Sequence, residues 1–173
     1  MAERLQIVDD CAAHADAIAA ITRAAFEKEY GSGDGEVTLI ADLRADGDVA
    51  VELAALERGA VVGHAMFSRL IVAPANLRVA ALAPVSAAMG RQRTGIGSAL
   101  IREGLVRCAA QGIDAVTVLG DPEYYKRFGF TPRAGRCFEC AYSGPAFQAL
   151  ALRNGALQSG AWKLIYPRAF SSV

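Results

Sequence analysis

The sequence predicts a single α/β domain in which helices cover a mixed sheet in three layers. Its 173 residues fit the usual domain size of ~100–200 residues. Hydrophobic residues make up 53% of the chain and charged residues 21%, which is enough apolar material for a sizeable core. The predicted elements run strand, two helices, three strands, helix, strand, short helix and two strands, an order typical of this architecture. Neither a repeat nor a low-complexity linker divides the chain, so we expect one domain over residues 1–173.

The N-terminal half is predicted to open with a short strand at Arg4–Val8. Residues 11–30 carry apolar side chains at helical spacing, so an amphipathic helix follows, and the glycines of GSGDG end it. A second short helix is predicted over Glu36–Ala45, because its apolar residues recur three and four positions apart. Val49–Glu57 and Ala60–Val72 have the composition of strands, and an Arg-Gly turn joins them.

The middle of the chain predicts a further strand, a helix and a buried strand. Leu77–Ala88 is an apolar run interrupted by Pro84. Because proline cannot donate to a ladder, it indicates an edge, a bulge or a splayed pairing at that point. A helix is predicted from about Gly97 to Ala110, with its apolar residues Leu100, Ile101, Leu105 and Val106 on one face. Ala115–Gly120 has the continuous apolar character of a buried strand.

Turn chemistry and alternation predict the C-terminal elements. Asp121 is a candidate N-cap, Pro122 suits the first helical turn, and Gly129 suits the end of the short helix that follows. Phe147–Leu152 and Ala161–Tyr166 are then predicted as two strands that form an antiparallel pair.

Charge and cysteine content narrow the function classes. Lys plus Arg equals Asp plus Glu, at 18 each, and a nucleic-acid binder would normally show a basic excess. No run of ~18 apolar residues offers a membrane span, and the N-terminus lacks the apolar core of a signal peptide. We therefore expect a cytoplasmic protein without a nucleic-acid or membrane partner. The cysteine pair in CFEC lacks the further ligands that a structural zinc needs, so no metal is predicted.

The stretch QRTGIGSAL places Gly95 and Gly97 between a strand and a helix. Backbone N–H groups of such a turn, together with the helix dipole, can bind an anion such as phosphate. A Walker loop would need Lys followed by Ser or Thr after its second glycine, but Ser98 follows Gly97. A dinucleotide fingerprint would need a third glycine where Leu100 stands. What is left is Gln-x-x-Gly-x-Gly, which by itself is also compatible with a simple connecting turn.

At this point the sequence resembles the GNAT superfamily of N-acetyltransferases. Their pyrophosphate turn reads Gln/Arg-x-x-Gly-x-Gly/Ala, and about thirty residues later a tyrosine precedes a glycine–aromatic pair, as in EYYKRFGF here. The chain is particularly similar to a bacterial subfamily of uncharacterised GNAT acetyltransferases, including GHAMFS before the turn and YPRAF near the C-terminus. The resemblance implies a mostly antiparallel mixed sheet, flanked by helices, with a splayed parallel pair at Val79–Ala87 and Ala115–Leu119 that holds acetyl-CoA.

The resemblance also implies functional residues. Tyr125 matches the general acid that protonates the departing thiolate; a phenol titrates near ~10 and a thiol near ~8.5, so Tyr125 would be protonated at neutral pH. Packing beside the cofactor is the alternative role, and Tyr124 is the second candidate for the acid. Backbone groups of Val85, Ser86 and Ala87 are expected to bind the pantetheine arm and the acetyl carbonyl. The amides expected to bind the pyrophosphate are those of Gln92, Arg93, Thr94, Gly95, Ile96, Gly97 and Ser98. Similar sequences often have glycine in place of Arg93.

The general base is not identified by the sequence. Glu36, His64, Asp121 and Glu123 are available, but a solvated helix-start carboxylate and a core histidine are the simpler interpretations of the first two. A water relay to a backbone carbonyl, which needs no side chain, stays open as well. We expect the acceptor pocket near the two early helices, Glu36 and the C-terminal strands. A small-molecule amine, an amino-acid-like substrate and a peptide N-terminus all stay open.

Two other functions and one assembly stay open as well. A non-catalytic acyl-CoA-binding or regulatory protein would share the fold, although the presence of Tyr125 argues against it. A nucleotide-phosphate binder could use the same turn, although the missing lysine after Gly97 argues against it. Dimers are common in the superfamily, so a homodimer is compatible with the resemblance.

Overall fold

The computed structural model describes residues 5–158 and 160–173. Within these ranges the strands are β1 Gln6–Val8, β2 Val49–Glu57, β3 Ala60–Ala73, β4 Val79–Ala87, β5 Ala115–Leu119, β6 Phe138–Glu139, β7 Phe147–Ala151 and β8 Trp162–Ile165. The α-helices described are α1 Ala15–Tyr30, α2 Asp34–Asp46, α3 Ile96–Ala110, α4 Pro122–Tyr125 and α5 Pro132–Gly135. Short 3₁₀ helices lie at Cys11–His14, Lys126–Phe128 and Arg168–Ser172.

The strands form a mixed sheet that is mostly antiparallel. Its main path runs β1-β2-β3-β4-β5-β7, and within that path only β4 and β5, among the strands of the described residues, run parallel. The end of β3 pairs with β8, which in turn pairs with the two-residue strand β6. The predicted fold class is confirmed. Arg4, at the start of the predicted first strand, lies outside the described residues.

The parallel strands β4 and β5 diverge part of the way along their length. They pair from Val79 opposite Ala115 to Ala81 opposite Thr117, and both strands continue beyond that point without pairing with each other. The register of β4 against β3 also shifts between Leu82 and Val85, where a bulge forms. Pro84 lies inside this bulge, as expected for a residue that cannot donate a ladder hydrogen bond. A wedge-shaped opening results between the two strands.

Helices cover both faces of the sheet. On one face α1 and α2 bury Ile18, Leu39 and Leu43 in a core that includes Met66 of β3. On the other face α3 packs Leu100, Ile101 and Cys108 against the sheet, in a core that includes Phe67. The sequence also assigned Val106 to the buried face of this helix, but its side chain is 64% exposed. The assignment is wrong because the helix turns toward the sheet on its Leu100–Gly104–Cys108 side.

Helix α3 can pack closely because residue 104 is glycine. A Cβ atom on Gly104 would collide with the ring of Phe67, so the helix backbone itself touches the sheet. Larger side chains at this position would push the helix away from the strands that it supports. This close contact therefore holds α3 against β3.

The last two strands do not pair with each other, so the predicted antiparallel pair is wrong. Strand β7 instead pairs along β5, and β8 pairs with Ile71–Ala73 at the end of β3. The pairing depends on which strand edges in the sheet still have unpaired backbone groups. Strand β3 has 14 residues whereas β2 and β4 have 9 each, so its last residues extend past its neighbours and offer free backbone groups.

Of the helices formed by residues 5–158 and 160–173, none has the length and apolar character needed to cross a bilayer.

Candidate active site

A cavity of about 460 Å³ opens where β4 and β5 diverge. Strand residues form its floor, the α4 tyrosines form one side, and the ends of α1 and α2 with C-terminal aromatic residues form the other. The lining residues are Phe26, Glu29, Tyr30, Glu36, Leu39, Ala81, Leu82, Ala83, Pro84, Val85, Thr117, Val118, Leu119, Gly120, Asp121, Tyr124, Tyr125, Tyr142, Tyr166, Phe170 and Val173. The volume lies within the range of small-molecule sites, ~300–1,000 Å³.

The divergence of the strands creates the binding capacity of the floor. Beyond the pair formed by Ala81 and Thr117, the facing edges of β4 and β5 have no ladder partner in each other. An extended, amide-bearing chain can pair with such an edge through its own N–H and C=O groups. The floor is thus suited to a ligand with the character of a peptide-like arm.

The glycine turn adjoins this cavity through two lining residues. A Cβ atom on Gly97 would lie 3.5 Å from the Tyr124 hydroxyl oxygen and 3.9 Å from Val85 Cγ1. Helix α3 begins at Ile96 after Gly95, whose φ of +89° is left-handed, and no side chain of the described residues caps it. The N–H groups of its first turn are therefore available to an anion. A ligand can reach from this helix end into the cavity.

Arg93 also adopts a left-handed backbone in this turn, with a φ of +62°. Glycine takes this conformation without strain, whereas other residues lose about 1–2 kcal/mol. A glycine at this position would avoid the cost. The turn is fixed beside it by Thr94, whose hydroxyl donates to the Arg91 carbonyl at 2.6 Å, and by the ion pair between Arg91 and Glu57.

The residues predicted to bind the cofactor fall into two groups. Val85 lines the cavity, while Ser86 is buried and its hydroxyl lies 3.2 Å from the Thr22 hydroxyl. Because that contact occupies the Ser86 side chain, β4 can bind a ligand at Ser86 and Ala87 only through their backbone groups. The second group is the turn, residues 92–98, which lies outside the cavity lining and next to it.

Tyr125 and Tyr124 both line the cavity, and their rings meet edge to face with centroids 4.9 Å apart. Burial, followed by the nearby Tyr124, raises the pKa of Tyr125 to about 12. Gly120 makes room for this ring, since a Cβ there would lie 2.6 Å from it. As predicted, Asp121 caps α4 by accepting the Glu123 N–H at 2.9 Å, which orients both tyrosines.

Only two of the four candidate bases line the cavity described here, Glu36 and Asp121. Glu123 is exposed and pairs with Lys126. His64 is fully buried, away from the cavity lining, and its Nε2 lies 2.8 Å from Glu52 Oε1. Burial lowers the pKa of His64 below its ordinary value of 6.5, although Glu52 opposes this effect. The interpretation of His64 as a core histidine therefore agrees with its position.

Sequence reasoning missed Glu29, which lines the cavity from the end of α1. A turn brings it toward Glu36 at the start of α2, and that turn is tight because a Cβ on Gly33 would collide with the Arg23 backbone. The spacing gave a signal, since Glu29 lies three residues after the lining residue Phe26 and thus on the same helix face. Partial burial and the Glu29 carboxylate together raise the pKa of Tyr30.

Three aromatic residues from the C-terminal part of the chain complete the wall. Tyr166 contacts Tyr142 and Phe170 edge to face, with centroids 4.7 and 4.9 Å apart. The Tyr166 hydroxyl lies 3.1 Å from the Thr117 hydroxyl on β5, and burial raises the pKa of Tyr166. In the described ranges, His, Cys, Asp and Glu side chains form no group of three or more that could hold a metal ion.

Comparison with known proteins places this geometry in a family. Residues 15–130 match the model of the acetyltransferase (GNAT) family. The chain is 35% identical over 146 residues to the uncharacterized N-acetyltransferase YhbS of Escherichia coli strain K12, covering 83% of this chain and 84% of that protein. It is 36% identical over 104 residues to the uncharacterized N-acetyltransferase YjhQ of the same strain, covering 58% of each.

Solved structures agree with these matches. The crystal structure of Escherichia coli YhbS in complex with CoA superposes with a TM-score of 0.89 and 32% identity, over 99% of this chain and 94% of that one. A GNAT family acetyltransferase from Brucella melitensis, solved in complex with acetyl-CoA, gives a TM-score of 0.81 and 33% identity, over 97% and 99% of the two chains.

Proposed function

Because the chain belongs to the GNAT family of acetyltransferases, we propose that it transfers the acetyl group of acetyl-CoA to a primary amine by direct attack. One observation carries this proposal: the cavity between the diverging strands meets the uncapped start of α3 at Val85 and Tyr124. Relatives with this fold were solved with CoA and with acetyl-CoA. We infer that the whole chain serves as one N-acetyltransferase domain.

The residues present fit acetyl-CoA along its length. The amides of the turn, residues 92–98, would bind the pyrophosphate, because the first turn of α3 presents unpaired N–H groups and a positive dipole end. The backbone of Val85, Ser86 and Ala87 on the open edge of β4 would pair with the pantetheine arm. The acetyl group would then lie in the opening between β4 and β5.

Acetyl-CoA supplies a thioester, and the reaction exchanges its C–S bond for a C–N bond. The neutral amine nitrogen attacks the carbonyl carbon, and the sulfur leaves with the bonding electron pair. Tyr125 donates its proton to that sulfur, since its raised pKa keeps the phenol protonated. The nitrogen, which is positively charged after the attack, releases a proton to solvent as the amide forms, and the Tyr125 phenolate takes up a proton from solvent, so the products are the amide and the CoA thiol. The proton that the ammonium loses before attack passes to a carboxylate of the cavity. Holding amine and thioester together in the cavity supplies much of the rate enhancement.

The test is turnover, with Tyr125→Phe as the informative variant. Wild-type protein mixed with acetyl-CoA and a panel of primary amines should release free CoA thiol, with one acetyl group gained by the amine in mass spectrometry. Tyr125→Phe should lower kcat about 100-fold, as expected for loss of a positioned acid, and leave the KM for acetyl-CoA unchanged.

Tyr124→Phe is the matched control, because it removes a neighbouring hydroxyl from the same cavity wall. It should keep kcat close to that of the wild type. Equal turnover by wild type and Tyr125→Phe would remove the acid role from Tyr125. Tight CoA binding without turnover on any amine would instead favour an acyl-CoA-binding protein.

A further inference from the structure

The cavity lining has two parts. Val85 and Tyr124 adjoin the glycine turn, since both approach Gly97. The part that comes from α1, α2 and the C-terminal aromatic residues is here called the far wall. The far wall consists of Phe26, Glu29, Tyr30, Glu36, Tyr142, Tyr166 and Phe170. If acetyl-CoA enters from the turn, as proposed above, the far wall is where the acceptor binds.

The far wall carries negative charge without a compensating cation. Glu29 and Glu36 line it, and among the described residues that line the cavity there is neither Lys nor Arg. The nearby Arg23 is used elsewhere, since its Nε donates to Asp34 at 2.8 Å. The charge of Glu29 also contributes to the raised pKa values of Tyr30 and Tyr125, so it acts on the tyrosine that is proposed as the acid. A cation would be attracted to the far wall and an anion repelled.

The helix dipole does not favour Glu29 at its position. A carboxylate near the C-terminus of a helix interacts unfavourably with the helix dipole, and Glu29 is the penultimate residue of α1. Glu36, in the first turn of α2, is placed favourably for its own helix. The tight turn at Gly33 brings the two helix ends together, so the chain presents both carboxylates to one space.

Aromatic rings form the rest of the far wall. Phe26 and Tyr30 stack with centroids 5.8 Å apart, and Tyr142, Tyr166 and Phe170 form a second cluster. Aromatic faces attract cations and also bury flat apolar groups. Carboxylates and aromatic rings in one cavity wall match a ligand that has both a positive charge and an apolar body.

We propose that the acceptor is a small primary amine on an aromatic or similarly flat apolar body, without a carboxylate beside the amine. The two glutamates repel an α-carboxylate, which argues against free amino acids as acceptors. The cavity volume of about 460 Å³ must also hold the acetyl end of the cosubstrate, which leaves room for a small molecule. This inference rests on the proposed acetyltransferase function for the choice of the far wall.

Direct binding tests the inference without relying on turnover. Three ligands of similar size are titrated into the full chain in the presence of CoA, with isothermal calorimetry as the readout: 2-phenylethylamine, its neutral analogue 2-phenylethanol, and phenylalanine. The amine should bind at least about tenfold more tightly than either of the others, from charge attraction and cation–π contact together. CoA binding is measured separately beforehand.

Variants assign the preference to the far wall. Glu29→Gln and Glu36→Gln should each weaken binding of 2-phenylethylamine about fivefold, the effect of losing one partly exposed ion pair, and the double variant should lose the preference over 2-phenylethanol. Glu27→Gln and Asp42→Asn are matched controls, because they remove exposed carboxylates from the same two helices outside the cavity lining. Both controls should bind like the wild type.

The inference is overturned if phenylalanine or 2-phenylethanol binds as well as the amine, if neither glutamate variant changes binding, or if none of the ligands binds in the millimolar range. Its failure is distinguishable from failure of the proposed function. An enzyme that acetylates amines but prefers phenylalanine refutes only the acceptor class. A protein that prefers 2-phenylethylamine but binds no CoA refutes only the acetyltransferase mechanism.

Discussion

Two carboxylate-containing regions of the molecule differ in what surrounds them. In the cavity, Glu29 and Glu36 belong to the wall that α1 and α2 contribute. In a cluster on the strands, here called the buried cluster, Glu52 lies between Arg44 and His64. Its carboxylate accepts from the Arg44 Nε at 3.1 Å and contacts the His64 Nε2 at 2.8 Å, and its side chain is only 12% exposed.

The difference shows that access to solvent, more than residue type, separates a reactive site from a structural one. A histidine paired with a glutamate has the composition of a catalytic pair, yet burial lowers the pKa of His64 and no lining residue of the cavity contacts it in the hydrogen bonds described. Burial opposes ionisation of Glu52, but hydrogen bonds from His64 and Arg44 outweigh it and lower its pKa. The buried cluster thus joins α2 to the sheet, whereas the carboxylates of the cavity have neither Lys nor Arg beside them among the described lining residues.

The largest effect expected is at the glycine turn beside the cavity. Gly97→Glu should weaken CoA binding by at least about 100-fold, because like-charge contact costs several kcal/mol and the new carboxylate would stand where the pyrophosphate is proposed to bind. The dissociation constant is measured by isothermal calorimetry, and the melting temperature reports on the fold.

Gly97→Ala is the matched control for the same position. A Cβ there meets the Tyr124 hydroxyl and Val85 at ordinary contact distances of 3.5 and 3.9 Å, so alanine should bind CoA nearly as the wild type does. Unchanged CoA affinity in Gly97→Glu would contradict the assignment of the pyrophosphate to this turn.

Local patterns explain what the sequence could predict. The bounds predicted for Val49–Glu57 are those of β2, and Pro84 marked the bulge beside which β4 and β5 diverge. The N-cap at Asp121 also follows from a short motif. Each of these features depends on residues within a few positions of each other, which a single sequence displays.

Long-range contacts explain what the sequence could not predict. The hydroxyls of Tyr166 and Thr117 contact each other although the two residues are 49 positions apart in the sequence. No local sequence pattern around either residue predicts this contact. The partners of β7 and β8 depend on which edges the finished sheet leaves open. The chain has equal numbers of acidic and basic residues, 18 each, so its composition did not predict the charge of the cavity. The described lining residues include carboxylates but neither Lys nor Arg.

Removing the Glu52 carboxylate tests whether the buried cluster serves stability and not the reaction in the cavity. Glu52→Ala leaves Arg44 and His64 without this partner, and breaking a buried ion pair typically destabilises a fold by about 3 kcal/mol. Chemical unfolding should show that loss of free energy, while kcat/KM of the folded fraction should stay close to the wild-type value. A large drop in kcat with unchanged stability would mean that the buried cluster takes part in the reaction.

The smallest effect expected is a pH dependence of stability that belongs to the buried cluster alone. His64 has a folded-state pKa below its ordinary value of 6.5, so below pH 6.5 the unfolded chain binds a proton that the folded chain does not. Stability should therefore fall as the pH drops below 6.5, with a slope of at most about 1.4 kcal/mol per pH unit. The lowered pKa of Glu52 acts in the same direction but below its ordinary value of 4.5. Urea unfolding at several pH values should show this slope in the wild type and in the control His14→Gln, and a flatter one in His64→Gln. An equal slope in His64→Gln would show that another group governs the acid sensitivity and that the imidazole of His64 is not held neutral by its burial.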